Sequence, residues 1–265
     1  MFESLDISCK KEIIYGGYTA LDLATLWGTL DTVKRLLQVP GIDVNAGSNF
    51  SSNPAFNAAQ RGNLQMLSLL VDSGADLNNR GNRVKDIQET ILMIGVSSGS
   101  VPVVKYLLSK GVNIEERGTD NYNALGAAVW YGYKDIVEIL LEAGADSNQL
   151  QGEDELTLLM VAVDRKKTEI IPYLISLGID VNAVDNDGWT ALHYSAYCGG
   201  EEEAEALLSA GAFIDARNGE YNRTSLHVAV IENNTDVALY LISKGADVNS
   251  KDSGNFTPVY TAIEV

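Results

Sequence analysis

One short pattern recurs eight times along the chain, and its period decides what the chain can fold into. Segments equivalent to TALDLATLWG (19–28) begin at Thr19, Asn53, Thr90, Asn123, Thr157, Thr190, Thr224 and Thr257, at separations of 34, 37, 33, 34, 33, 34 and 33 residues. A steady period of this size marks a supersecondary unit that cannot bury its apolar face alone and must stack on its neighbours.

Each unit carries two short helical patterns. In the fourth, Leu125 and Ala128 fall on one face of the first helix, while Ile136, Val137, Ile139, Leu140 and Leu141 make the apolar stripe of the second. Thr or Asn at the first position can cap the first helix. Gly28, Gly62, Gly99, Gly132 and Gly199 stand where that helix ends, and a left-handed residue is expected there. Asn233 takes this place in the seventh unit and tolerates the conformation; Lys166 takes it in the fifth and tolerates it poorly, so that turn is expected to be distorted. A second set, Gly41, Gly74, Gly111, Gly144, Gly178, Gly211 and Gly245, ends the second helix.

The segments GWTALHYSAYCG (188–199), RTSLHVAVIEN (223–233), LLEAGADSN (140–148) and LISKGADVN (241–249) resemble the ankyrin repeat, whose pattern is G-x-T-P-L-H-x-A-A-x-x-G followed by an apolar helix and L-L-x-x-G-A-D-V-N. The tetratricopeptide repeat has a similar period but different anchors. The resemblance implies an all-α solenoid of stacked helix-turn-helix units with β-hairpin fingers. The repeat domain is read as 17–265, with units near 17–49, 50–85, 86–119, 120–153, 154–186, 187–220, 221–253 and a partial unit at 254–265. Residues 1–16 are expected to cap the stack through Phe2, Leu5, Ile13 and Ile14. The last unit, FTPVYTAIEV, holds only a first helix. The natural chain is therefore expected to continue past Val265, a short terminal cap being the alternative.

Charge narrows the partners. Nineteen Lys and Arg face 36 Asp and Glu, a net charge of −17. Phosphate backbones and anionic membranes need clustered cations, so the charge argues against nucleic acid and anionic membrane as partners, and no membrane insertion is expected. A basic protein is favoured, although solubility alone also explains the charge. No apolar run is long enough to span a membrane, and the N-terminus lacks the signal-peptide pattern. Cys9 and Cys198 are the two cysteines, too few for a disulfide framework. The chain is expected to be a cytoplasmic monomer. The longest connecting loop, NNRGNRVKDIQE (78–89), gathers Arg80, Arg83 and Lys85; it is either a solvated insertion or a finger for something acidic.

No catalytic constellation is legible, and no cofactor or metal is expected. His193 and His227 both occupy the fourth position of T-x-L-H, where the family's histidine ties neighbouring hairpin turns by structural hydrogen bonds. Two histidines one unit apart do not make a zinc site. No phosphate loop and no nucleophile elbow occur. Asp76, Asp146 and Asp247, with Asp43 and Asp180, recur once per unit and belong to the repeat. Glu201, Glu202 and Glu203 open a second helix, where negative charge suits the dipole. Asp164 and Arg165 form an unusual polar pair with no catalytic companion in the sequence. Asn45, Asn78, Asn148, Asn182 and Asn249 match the repeat-terminal asparagine that is hydroxylated in some animal ankyrin proteins; a turn residue satisfying backbone groups is the simpler account.

The resemblance further implies that a partner is held on the concave face, by the fingers and the ends of the first helices. The finger position before each anchor holds Tyr18, Ser52, Glu89, Tyr122, Leu156, Trp189, Arg223 and Phe256, and the positions before the helix end include Trp27, Arg61, Trp130–Tyr131, Asp164–Arg165 and Tyr197. All three tryptophans of the chain fall in this set, and Tyr15, Phe50 and Tyr221 lie farther along the fingers. Exposed aromatics at aligned positions read as binding anchors. The predicted partner-binding residues are Tyr18, Trp27, Arg61, Tyr122, Trp130, Tyr131, Arg165, Trp189, Tyr197 and Tyr221, with Arg61 and Arg165 available to partner carboxylates. The stripe from Trp27 through Trp130 to Tyr197 is expected to be one surface; rings that merely stack on each other between repeats are the alternative. The function expected is a scaffold that binds a protein and has no enzymatic activity. The alternatives are a targeting or regulatory segment of a larger enzyme, and an effector delivered by an intracellular microbe into a host cell.

Overall fold

A computed structural model describes residues 18–47, 53–78, 89–219 and 221–264. The expected cap of residues 1–16, the loop cations Arg80, Arg83 and Lys85, and the finger residues Tyr15, Phe50 and Ser52 lie outside the described residues.

The predicted helix pairs are present in every described unit. They are α1 (Ala20–Trp27) and α2 (Leu30–Leu37), α3 (Pro54–Gln60) and α4 (Leu64–Asp72), α5 (Ile91–Ser97) and α6 (Val101–Ser109), and α7 (Ala124–Tyr131) and α8 (Lys134–Glu142). There follow α9 (Leu158–Asp164) and α10 (Ile171–Ser176), α11 (Ala191–Cys198) and α12 (Glu201–Ser209), α13 (Ser225–Ile231) and α14 (Thr235–Ser243), and α15 (Pro258–Glu264). β-structure among the described residues is limited to two isolated antiparallel bridges, Gln151 with Leu156 and Arg217 with Thr224. The fingers from the fourth on are closed by backbone bonds such as Gly118 N–H to Tyr122 O at 2.9 Å and Asp185 N–H to Trp189 O at 3.0 Å, without longer paired strands among the described residues.

Two compact units divide the chain, residues 1–127 with 135–145 and residues 128–134 with 146–265. In the first, α1 packs on α3 and α3 on α5, while α2 packs on α4 and α4 on α6. In the second, α9, α11, α13 and α15 follow one another in a row, and α10, α12 and α14 form a second row. The core is aliphatic. Leu125, Ala128, Ile136, Val137 and Leu140 are buried as the periodicity predicts, whereas Ile139 and Leu141 are only half-buried. A fully buried leucine of this kind contributes roughly 1.5–3 kcal/mol.

Short helices of six to nine residues are marginal alone, and several first helices start on a side-chain cap. The side chains of Thr19, Asn53, Thr90 and Thr157 accept from the backbone N–H three residues on, as expected of the anchor. The second helices end in a left-handed glycine followed by a reversed bond, as where Gly74 (φ 94°) lets Ala75 N–H reach Leu70 O at 3.0 Å.

Two helix ends are informative. Gly28 is extended (φ −86°, ψ −173°) and not left-handed as expected; its glycine answers a different constraint, because a Cβ there would lie 2.5 Å from Ala24 O. Lys166 does adopt the left-handed conformation (φ 51°), as does Asn233 (φ 57°). The turn itself is not distorted as expected: Lys166 N–H to Val163 O and Lys167 N–H to Ala162 O, at 3.0 and 2.8 Å, match the bonds of the equivalent turns, and the irregularity falls in the helix that follows. Thr168–Ile170 is a 3₁₀ turn, and α10 after it is only six residues long.

Neighbouring repeats are joined by recurrent polar bridges. Asn45 donates to Gly74 O and accepts from Asp76 N–H, and Asn182 does the same with Gly211 O and Phe213 N–H. For these two asparagines the turn-residue account holds. Fingers in the second unit also touch directly: Asn186 N–H reaches Asp154 O, Gly219 N–H reaches Asp187 O, and Ser253 N–H reaches Tyr221 O, at 3.1, 2.8 and 2.9 Å. Gly188 and Gly219 make the second of these contacts sterically admissible, since a Cβ on Gly188 would meet Gly219 N at 2.5 Å. Glu203 at the start of α12 is buried and accepts from the Thr168 hydroxyl of the preceding repeat.

Candidate interaction surface

The two histidines sit at the base of the fingers and fix them. His193 Nε2 lies 3.1 Å from Arg223 O, and His227 Nε2 lies 3.1 Å from Phe256 O. A carbonyl only accepts, so Nε2 carries the proton. Nδ1 then accepts from the anchor threonine's own N–H, at 3.2 Å in both repeats. Each imidazole thus ties its repeat to the next finger, as the resemblance implied. Burial pushes both histidines below their usual pKa and keeps them neutral. In α1 the equivalent position is Asp22. It is fully buried, accepts from Thr19 N–H and hydroxyl, and takes a bond from the Asn57 amide at 3.3 Å. Burial outweighs these bonds and raises its pKa to about 6.

In the first unit, Tyr18 lies edge-on to Trp27, with ring centroids 6.1 Å apart and an interplanar angle of 64°. Trp27 is 70% exposed. Arg61 is exposed just after α3 and forms no ion pair among the described residues; Tyr122 is half-buried on the turn before α7. Among the predicted residues of this unit, the structure brings Tyr18 and Trp27 together.

In the second unit, Trp130 is half-buried. The Arg165 guanidinium lies over its ring at 3.3 Å and pairs with Asp164 at 3.0 Å. Tyr131 is 41% exposed and stacks on Tyr133, with centroids 5.5 Å apart. Trp189 is half-buried and meets Tyr194 at 5.4 Å and Tyr197 at 5.8 Å, the latter edge-on. Tyr197 is 49% exposed and Tyr221 is 45% exposed. Trp189, Tyr194, Tyr197 and Tyr221 wall an open cleft of about 330 Å³. The ring pairs Tyr18–Trp27, Tyr131–Tyr133, Trp189–Tyr197 and Phe256–Tyr260 each lie within one repeat; the contact that crosses from repeat five to repeat four is Arg165 on Trp130.

The sequence reading missed Tyr194, Asp185 and the Arg165–Trp130 stack. Asp185 Oδ1 accepts from Asp187 and Trp189 N–H at 2.9 and 2.8 Å, and its Oδ2 accepts from the Tyr194 hydroxyl at 2.6 Å. That network builds the sixth finger and locks the ring. Burial and the Asp185 carboxylate raise the Tyr194 pKa well above the usual phenol value, so it stays a donor. The Asp164–Arg165 pair does have a neighbour, the Cys198 thiol, 3.6 Å from Asp164 O. Burial, with help from the Asp164 charge, pushes that thiol's pKa up, which is the wrong direction for a nucleophile. Among the described residues no group of three or more His, Cys, Asp or Glu is placed to hold a metal ion, and no helix is long and apolar enough to cross a membrane.

A family model described as ankyrin repeats matches residues 21–118, 55–151, 125–218 and 159–252. Palmitoyltransferase AKR1 of Lachancea kluyveri is 30% identical over 200 residues, which is 73% of this chain and 27% of that protein. Ankyrin repeat and KH domain-containing protein mask-1 of Caenorhabditis elegans is 30% identical over 271 residues, covering 90% of this chain and 10% of the relative. Human Rabankyrin-5 is 28% identical over 191 residues, or 66% of this chain and 16% of the relative. The chain thus spans less than a third of the length of each of these relatives.

Proposed function

The chain belongs to the ankyrin repeat family, and from that premise we propose that it is a protein-interaction module which grips a partner with its fingers and the concave ends of its first helices. The observation that carries this reading is the exposure of large aromatics at the two positions before the end of the first helix, Trp27 on α1, Tyr131 on α7 and Tyr197 on α11, where the aliphatic core does not need them. Such rings contribute strongly when a partner desolvates them. Tyr18, Tyr122, Trp130, Trp189, Tyr221 and the cations Arg61 and Arg165 are proposed as further contacts. Arg165 serves Trp130 first, since its guanidinium already covers that ring. The net charge of −17 supports a basic partner; action as a cytoplasmic monomer is part of the proposal.

The test is affinity capture from the source cell with the wild-type chain and with Tyr131→Ala/Tyr197→Ala. Loss of a partner at an unchanged Tm supports the reading. Equal recovery by both baits refutes it, and a Tm drop that tracks the lost binding would make the two tyrosines structural.

A second reading, the recognition segment of a larger protein, is favoured by the small share of each relative that the chain spans. The full open reading frame distinguishes the two. A catalytic domain beside the repeats would make this chain a targeting or regulatory part, and a secretion signal would favour an effector.

A further inference from the structure

We propose that the cleft between the sixth and seventh repeats receives a single cationic side chain, lysine or arginine, from a basic segment of the partner. The proposal rests on the module reading above and names the partner's chemistry.

The walls are Trp189, Tyr194, Tyr197 and Tyr221, and aromatic faces attract cations most strongly when the cation is partly desolvated. One wall already shows this preference, because the guanidinium of Arg223 sits over the Tyr221 ring at 4.7 Å. Arg223, which also lines the cleft, forms an ion pair with Asp252 at 3.6 Å from its Nε, although that buried Nε makes no hydrogen bond.

The carboxylates around the cleft divide into used and available. Asp185 is consumed by two backbone N–H groups and the Tyr194 hydroxyl. Asp187 and Glu232 also line the cleft, are exposed, and form no ion pair among the described residues. The other nearby guanidinium is engaged as well: Arg217 donates to Asn222 O and Lys251 O. The cleft lining thus joins aromatic faces to three carboxylates, Asp185, Asp187 and Glu232, against one guanidinium, Arg223, with Asp187 and Glu232 exposed at the rim. An anionic ligand is repelled by that rim, and an apolar one makes no use of it. About 330 Å³ holds one long side chain rather than a packed helix. The fifth fingertip, hydrogen-bonded to the sixth through Asn186 N–H and Asp154 O, adds the exposed run Glu153, Asp154 and Glu155. Further basic residues of an extended segment would lie along it.

The experiment is an NMR titration of the full chain, following the three tryptophan indole N–H signals. The probes are N-acetyl-lysine methylamide, N-acetyl-arginine methylamide and, as the uncharged control, N-acetyl-norleucine methylamide. A saturable shift of the Trp189 signal with the lysine or arginine probe, absent with norleucine, is expected. Asp187→Asn/Glu232→Gln should weaken it about tenfold while leaving the rest of the spectrum in place, since both side chains are exposed; the loss corresponds to two surface charge contacts. The proposal is overturned if norleucine shifts Trp189 equally, if no probe shifts it, or if the double variant responds like the wild type. Peptide selection on the same chain separates this failure from that of the module reading. Binders without a cation, lost in Tyr131→Ala/Tyr197→Ala, would leave the module standing and remove the cationic site.

Discussion

Asp22→Asn should stabilise the first unit at neutral pH and lose that advantage in acid. Asp22 occupies the position that histidine holds in α11 and α13, is fully buried, and has a pKa raised to about 6 from an ordinary 3.8. A folded pKa above the unfolded one means that the folded state holds its proton more tightly. The associated stability is fully present below pH 4 and disappears as pH rises through about 6. At pH 8 the carboxylate is ionised in a place that resists charge. The shift converts to about 3 kcal/mol at 1.36 kcal/mol per pH unit, reduced to about 2 by solvent screening. Asparagine keeps an oxygen for the Thr19 N–H and hydroxyl, now 3.1 and 3.0 Å from Asp22 Oδ2. Its amide group then faces Asn57, whose own amide can turn to present oxygen. Urea denaturation of both proteins at pH 4.5 and pH 8 is the assay. The variant should gain about 2 kcal/mol on the wild type at pH 8 and only about a third of that at pH 4.5, where most of the proton-linked stability of Asp22 has returned. Subtracting the two proteins cancels every other titrating group. Parallel stability curves across this range would refute the claim that Asp22 is ionised at a cost.

Two further predictions concern the second unit. His193 and His227 have folded pKa values lowered by burial, so the unfolded chain takes up protons first as pH falls below about 6.5, and stability declines from there towards the folded pKa values. His193→Gln/His227→Gln should flatten that decline between pH 7 and 5 while starting about 1–2 kcal/mol lower from the lost finger bonds, as read by urea midpoints; an unchanged slope would sink the assignment. Lys166→Gly should raise stability by up to about 1 kcal/mol, because Lys166 holds φ at 51° where glycine carries no Cβ penalty, and thermal melting reads this directly.

The fold was legible because every unit repeats the same physical requirements. An anchor that caps α1 must also cap α3, α5 and α9, so Thr19, Asn53, Thr90 and Thr157 were found by period alone and all four accept the bond expected of them. What the period cannot supply is any fact that differs between units. Gly28 sits in the register of Gly62 and Gly99 but is extended, and its close approach to Ala24 O is not written in the spacing. The Arg165–Trp130 stack joins residues one repeat apart, so it becomes visible only when adjacent stripes are superposed and one is found to offer a cation where its neighbour offers a ring. Tyr194 lies between the finger and helix-end positions that the repeat pattern marks as exposed, so nothing in the register singles it out.

The same division bears on the proposed function. Positions that every unit needs, such as the cap, the second glycine and the bridging asparagine, are occupied for the stack's sake and say little about a partner. Positions that no unit needs are free to vary, and there the outcomes diverge. Trp27 stands 70% exposed beside Tyr18, Trp130 lies half-buried under Arg165, and Tyr197 joins Trp189 at the mouth of a cleft. If these rings served only packing, they would be expected to contact the neighbouring repeat, as His193 does through Arg223 O. Tyr18 with Trp27 and Trp189 with Tyr197 instead pair within their own repeat, which orients their remaining faces without using them to join the stack. Mutation of Trp27 or Tyr197 should therefore separate binding from stability in a way that mutation of the histidines, or of Trp130 under Arg165 of the next repeat, cannot.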